Sequence, residues 1–359
     1  MMRVLGIAGT AKNTGKTTTL LEVLGYLSSL GRRVFVTSIG YDGEDFDNIT
    51  GLPKPRVFIP EGTLVATALP LIQASSVKFT DLQDTGVRCA LGRVFVGRAS
   101  AGGKVVLAGP TSTRDLLSVM KFAPKMCTVL LDGAFSRLSP MVVAGALILA
   151  TGAARSPDSH RLAREVEIIG KIMSLPVHGF FASGSSPGGD PGSAGRTINV
   201  EGGLFLKGQG KELGWRLIAD GPGQTVVYVR GIVNPAVFDE TLSELEGYRR
   251  DPVVFVISHP ILMLLSGDVL AWEDVLCRAE EMGFVVAVGS SSELLGVTIN
   301  PYRPSYESAT GRFVATYLPP RTFLDDIRNL TSVPCTDIIL EGPEKLRSWL
   351  HRYVEKQNS

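Results

Sequence analysis

GIAGTAKNTGKTTT, residues 6–19, is the stretch on which the fold turns. It follows the short run Arg3-Val4-Leu5 and leads into residues 17–30, where apolar side chains recur at three- and four-residue spacing. Strand, glycine-rich turn and helix in that order form a cradle for phosphate. The backbone N–H groups of residues 13–17 converge on an anion at a helix N-terminus, where the peptide dipoles favour negative charge. Lys16 adds a point charge for the β- and γ-phosphates, and the Thr17 hydroxyl is a ligand for Mg²⁺. A side chain at Gly15 would crowd the phosphate or the turn. The candidate nucleotide contacts therefore run from Gly9 and Thr10 through Lys12, Asn13, Thr14 and Gly15 to Lys16, Thr17 and Thr18. One position departs from G-x-x-x-x-G-K-[ST]: counted back from Gly15, the first glycine is Thr10, with Gly9 one step earlier.

A metal-bound triphosphate needs a carboxylate at a neighbouring strand end. TVLLDGA, residues 128–134, supplies one: Asp132 follows an apolar run, and Gly133 leaves room beside it. Lys16 and Asp132 are the candidate catalytic pair, while a strand-end Asp that caps the next turn is the plainer alternative. YDGEDFDN, residues 41–48, holds Asp42, Glu44, Asp45 and Asp47 after another apolar run. Asp42 is the candidate there, as a Mg²⁺ ligand or a switch for hydrolysis, and the segment reads equally well as a solvated acidic loop. Glu61-Gly62-Thr63, Gly109-Pro110-Thr111 and Thr151-Gly152 also follow apolar runs and are expected in the same crevice. The chain has no N-K-x-D guanine-reading motif, which favours ATP over GTP.

Further out, continuous apolar runs recur at residues 4–8, 34–37, 105–108, 128–131, 146–150, 226–229, 253–257 and 284–288. Strands covered by helices on both faces read this way, so the pattern predicts a doubly wound α/β fold with a mostly parallel sheet. Residues 57–103 are broken by glycines into short extended pieces, read as a hairpin insertion. Residues 182–195, ASGSSPGGDPGSAG, read as a linker, which divides the chain into a nucleotide-binding domain at 1–181 and a second α/β domain at 196–359, a candidate for partner binding.

Composition narrows the class. With 359 residues and 44% apolar content the chain fills a sizeable core. Lys and Arg (36) nearly cancel Asp and Glu (35), so no global field favours nucleic acid or an anionic membrane, and neither is expected as a partner. The longest apolar runs, 141–154 and 253–265, fall short of the roughly 20 residues of a membrane-spanning helix, and Pro260 interrupts the second. Residues 1–8 lead straight into the glycine-rich loop without a secretory pattern, so a cytoplasmic location is expected. The four cysteines form no C-x-x-C pair and read as buried thiols, and the four histidines form no metal motif.

The frame Gly-Thr, four residues, then Gly-Lys-Thr resembles dethiobiotin synthetase and the cobyrinate amidases, a P-loop branch in which ATP activates small-molecule carboxylates. Dimeric members of that branch carry a lysine next to the first glycine; here Ala11 holds that place and Lys12 comes one position late. The blocks AKNTGKTTTL, TSIGYDGEDFD, VFIPEGTLVATA, LAGPTSTRD, LLDGAFSR, ILATGA and VTINPYRP resemble, in order and spacing, the reactivase subunit of lysine 5,6-aminomutase. The likeness covers about residues 1–175 and returns at 297–304. It implies ATP binding by Lys16 and Thr17, Mg²⁺ binding at Asp132, a switch at Asp42 and Glu44, a second reactivase subunit, and a cobalamin-dependent aminomutase as client. Three readings stay open: an ATP-driven reactivation factor, an ATP-dependent carboxylate or amide ligase, and a nucleotide-gated regulator.

Overall fold

A computed structural model describes residues 2–41, 56–178, 196–221, 223–248, 251–308 and 310–355. The described strands, in chain order, are β1 (Arg3–Gly9), β2 (Val34–Ser38), β3 (Val57–Ile59), β4 (Leu64–Ala68), β5 (Lys78–Cys89), β6 (Gly92–Ala101), β7 (Gly103–Val105), β8 (Thr128–Ala134), β9 (Ala146–Gly152), β10 (Arg196–Val200), β11 (Thr225–Val229), β12 (Val253–Ile257), β13 (Val285–Val288), β14 (Glu293–Asn300), β15 (Tyr302–Glu307), β16 (Arg312–Tyr317) and β17 (Cys335–Thr336). The α-helices are α1 (Lys16–Ser29), α2 (Leu69–Gln73), α3 (Thr113–Met120), α4 (Ser159–Met173), α5 (Gln209–Ala219), α6 (Pro235–Leu245), α7 (Ala271–Glu281), α8 (Pro320–Leu330), α9 (Ile338–Glu341) and α10 (Glu344–Glu355).

The chain divides into two compact units, Met1–Ala163 with Leu294–Ser359, and Arg164–Glu293. In the first, a sheet runs β17-β14-β9-β1-β8-β2-β4-β6-β5. Its centre is parallel: β1 pairs with β8 and β9, and β2 with β8 and β4. The middle strands are buried along nearly their whole length and mostly apolar, as strands of a parallel sheet are, with Thr37 and Ser38 of β2 and Thr151 of β9 the buried polar residues near their carboxyl ends. Helix α1 covers one face with Leu20, Val23, Leu24 and Leu27, all at or below 1% exposure, and each such burial is worth about 1.5–3 kcal/mol. Leu346, Trp349, Leu350 and Tyr353 of α10 join the same core. Gly296 in β14 makes room for the indole, since a Cβ there would lie 2.6 Å from a Trp349 ring carbon.

At the far edge the sheet turns antiparallel, with β4 against β6 and β6 against β5, in the segment the glycines had marked. The run 105–108 departs from expectation. Only its first residue ends a strand, β7, which pairs with β3. Beyond it the Thr67 hydroxyl donates to the Val106 carbonyl (3.1 Å) and accepts from the Ala108 N–H (2.9 Å). A side chain thus supplies the bonds a neighbouring strand would have made.

The expected division at 182–195 needs correction. Those residues lie outside the described ones, and the second unit does not run to the C-terminus. β14 lies beside β9 and β17 beside β14, so the chain returns to the first sheet after residue 293. Nothing local to the apolar run 295–299 states which sheet it joins.

The inserted unit carries its own parallel sheet, β10-β11-β12-β13. Phe238 and Phe255 meet edge to face at 4.9 Å, and the Trp272 indole N–H donates to the Met263 carbonyl at 2.8 Å. Helices α5 and α6 approach closely at Gly210, where a Cβ would stand 1.9 Å from the Val237 carbonyl oxygen.

Candidate functional site

β1 ends at Gly9, and α1 begins at Lys16. The turn between them uses left-handed backbone twice, at Gly15 (φ 85°) and at Asn13 (φ 63°), the latter uncommon for a residue with a side chain. The position usually held by glycine is here a clamp: Thr10 N–H donates to the Ala150 carbonyl (3.0 Å), and its hydroxyl donates to the Thr151 hydroxyl (2.7 Å). Gly9 supplies the missing space. A Cβ there would lie 3.1 Å from Thr14 Oγ1 and 3.3 Å from Lys16 Cβ, so the glycine requirement has moved back one residue. Thr14 is buried and donates to the Ala11 carbonyl at 3.0 Å.

No side chain caps the N-terminus of α1, and its first turn holds no acidic residue. The N–H groups of that turn, with the dipole behind them, are the makings of an anion site. Lys12 and Thr18 are exposed around it, and Thr17 is half-buried.

Register brings in the carboxylate. Asp132 on β8 stands level with Ile7 of β1 and Ser38 of β2, at the carboxyl edge of the sheet. Lys16 Nζ lies 2.9 Å from Asp132 Oδ1. That oxygen is buried and accepts no well-angled hydrogen bond, so the contact is a charge pair. Beside it, Gly109 packs against the Ser38 carbonyl so tightly that a Cβ would come within 1.9 Å of the oxygen. Gly40 N–H donates to the Pro110 carbonyl, and Arg137 Nη1 donates to the Tyr41 carbonyl at 3.0 Å.

Of the strand-end turns expected in this crevice, Thr151-Gly152 and Gly109-Pro110 reach it. Glu61-Gly62-Thr63 does not: it precedes β4, which runs parallel to β2, so it lies at the opposite edge. Asp42, Glu44, Asp45 and Asp47 lie outside the described residues. The cysteines are not uniformly buried: Cys127 and Cys335 are, Cys89 is half-buried and Cys277 is exposed.

The structure adds residues that no local motif marked. Asn300, at the end of β14, donates from Nδ2 to the Asn13 carbonyl at 2.9 Å, and Thr298 shares a 2.8 Å hydrogen bond with Thr19 of α1. Their only trace in the sequence is the block VTINPYRP. A small cavity beside Gly15 and Thr18 is walled by Asn300, Asp337 and Ile339. Asp337 is buried, which raises its carboxyl above the usual range, and it caps α9 by accepting from the Ile339 and Leu340 N–H groups.

No family model matches the chain, and no curated protein matches it. Among solved structures it is similar to pNOB8 ParA bound to nonspecific DNA, at 14% identity and a TM-score of 0.30 over 98% of this chain and 99% of that one. So loose a superposition carries no argument about this chain's site. The expectation of no nucleic-acid partner is withdrawn. That expectation rested on net charge, and a balanced total says nothing of local patches. The fold itself is mixed α/β with a large, mostly parallel sheet, compatible with that of P-loop nucleoside triphosphatases. Among the described residues no helix is long and apolar enough to cross a membrane.

Proposed function

We propose that the chain binds ATP with Mg²⁺ at the loop from Gly9 to Thr18 and hydrolyses it. The observation that carries this reading is the uncapped N-terminus of α1 beside the Lys16–Asp132 pair. The N–H groups of the first turn and Lys16 would hold the phosphates, while Thr17 and Asp132 would hold the metal ion. Bound Mg²⁺ draws charge from the β- and γ-phosphate oxygens, and the chain's own part is to orient the triphosphate and keep the cation beside it. The donor set fits: a hydroxyl and a carboxylate are the hard oxygen ligands Mg²⁺ takes, alongside phosphate oxygens. Titration of the chain with ATP and with GTP, with and without Mg²⁺, tests the reading. Tighter binding of ATP in the presence of the metal is the expected result, and no binding of either nucleotide removes the proposal.

The nucleotide cycle serves, in our reading, to reactivate an adenosylcobalamin-dependent aminomutase together with a second reactivase subunit. The support is the ordered series of sequence blocks from AKNTGKTTTL to VTINPYRP, joined to a physical requirement: expelling a tightly held, damaged cofactor needs a source of free energy. An aminomutase inactivated by turnover should regain activity when given this chain, the second subunit, ATP, Mg²⁺ and fresh adenosylcobalamin, and only when ATP is present. Release of ADP stimulated by a carboxylic acid, with no recovery of any aminomutase, would instead identify a ligase.

A further inference from the structure

We propose that Asn300 is the positioning residue of the phosphate loop, holding the backbone around Asn13 in its anion-binding shape from a strand 287 residues further along the chain. The proposal rests on the nucleotide reading above for its function, and on geometry alone for the tether.

The amide of Asn300 is used at both ends. Nδ2 donates to the Asn13 carbonyl (2.9 Å), and Oδ1 accepts from the Tyr302 N–H (3.1 Å). A donor facing a carbonyl and an acceptor facing an N–H fix which way the amide points. The main chain of Asn300 is held as well: its carbonyl accepts from Ala153 N–H at 2.9 Å. Gly152 passes so close that a Cβ would fall 1.9 Å from the same oxygen. The group reaching the loop is therefore mounted on two packed strands, β9 and β14, and not on a loop of its own.

Asn13 is where such a tether matters. At φ 63° it sits in the left-handed region, which asparagine tolerates better than most residues with a side chain, and the bond from Asn300 favours that conformation over the alternatives open to a free loop. In a trans peptide the carbonyl and the following N–H point in opposite directions. Drawing the Asn13 carbonyl toward Asn300 therefore turns the Thr14 N–H away from it. The loop is thus pinned at two points: Thr10 to Thr151 at its start, and Asn13 to Asn300 at its crest. Asn300 also lies against Gly15, its Cβ 3.4 Å from where a Cβ of that glycine would be. Fixing the loop before the anion arrives lowers the ordering cost that binding would otherwise carry.

The test uses the full chain with Asn300→Ala and Asn300→Asp. Aspartate keeps the acceptor for Tyr302 and loses the donor to Asn13. Amide order parameters of residues 12–16, measured without nucleotide, should fall from about 0.85 to below about 0.6 in both variants, while those of β1 and α1 stay unchanged. The dissociation constant for ATP should rise at least tenfold, with thermal midpoints within a few degrees of the parent. Unchanged order parameters in both variants overturn the tether, and a loosened loop with an unchanged dissociation constant overturns its role in binding. If the parent binds no nucleotide, the reading of the site falls, and the order parameters still decide whether Asn300 holds the loop. Should Asn300→Ala fail to fold, Asn300→Asp carries the same comparison.

Discussion

Lys16 Nζ and Asp132 Oδ1 are 2.9 Å apart, so the cation proposed to meet phosphate and the carboxylate proposed to meet Mg²⁺ neutralise one another. Both side chains are mostly withdrawn from water, at 20% and 14% exposure. Each is therefore the other's partner, and in the proposed site a metal-nucleotide complex would offer an anion to Lys16 and a cation to Asp132. Binding would then exchange one ion pair for two.

Replacing Lys16 by Ala removes the charge proposed to meet the β- and γ-phosphates and leaves the backbone of the loop in place. Affinity for ATP should fall at least tenfold, or about 1.4 kcal/mol. Calorimetric titration of the folded variant measures it directly. An unchanged dissociation constant would remove the loop from the binding site.

Asp132→Asn keeps the shape and removes the charge. Nucleotide should still bind, while Mg²⁺-dependent hydrolysis should drop by about 10², which is roughly 2.7 kcal/mol of transition-state stabilisation. Phosphate release followed against Mg²⁺ concentration separates the two effects. Full activity in this variant would assign the metal to another carboxylate.

Local order was legible in the sequence, and non-local order was not. The succession β1, loop, α1 could be read because its signals lie within 14 residues, GIAGTAKNTGKTTT, and Asp132 because it ends an apolar run. The return of β14 to the first sheet could not, since an apolar strand carries no mark of its neighbour. Asn300 was hidden for the same reason: its partner in the loop is 287 residues away. Thr10 departs from the glycine of the loop pattern and forms a clamp, which only the position of Thr151 reveals. The run 105–108 looked like a strand because burial alone sets its composition, while a Thr67 hydroxyl meets its backbone.

Two glycines make opposite predictions. Gly109→Ala would place a methyl 1.9 Å from the Ser38 carbonyl oxygen, a contact between two backbones that cannot be relieved by a side-chain rotation. It should cost several kcal/mol and lower the thermal midpoint by more than about 10 °C. Gly25, exposed in α1, has nothing within 4 Å of where a Cβ would stand, so Gly25→Ala should stabilise by about 0.5–1 kcal/mol through helix propensity. Thermal unfolding of both variants checks the pair, and the same sign for both would contradict the packing described.

His259 sets a pH dependence in the inserted unit. It is 3% exposed, its Nδ1 accepts from the Ile261 N–H at 3.2 Å, and its Nε2 lies 3.1 Å from the Ser292 hydroxyl. Burial penalises the charged ring and lowers its pKa from the ordinary 6.5 to about 4. The unfolded chain, with the ordinary value, binds the proton first. Stability from this group is therefore whole above pH 6.5 and declines as pH falls toward 4, by up to about 3 kcal/mol. Glu341 acts lower on the scale: Arg328 holds its carboxyl down at about 2, so its contribution is lost only as pH falls below 4.5. The two windows barely overlap. Asn at position 259 offers an oxygen to the Ile261 N–H and has no proton to gain, so His259→Asn should flatten the denaturant midpoint between pH 6.5 and 4.5 while leaving the steeper loss at lower pH. A parent protein whose midpoint does not move across that interval, or a variant that moves with it, would show that His259 is not the group responsible.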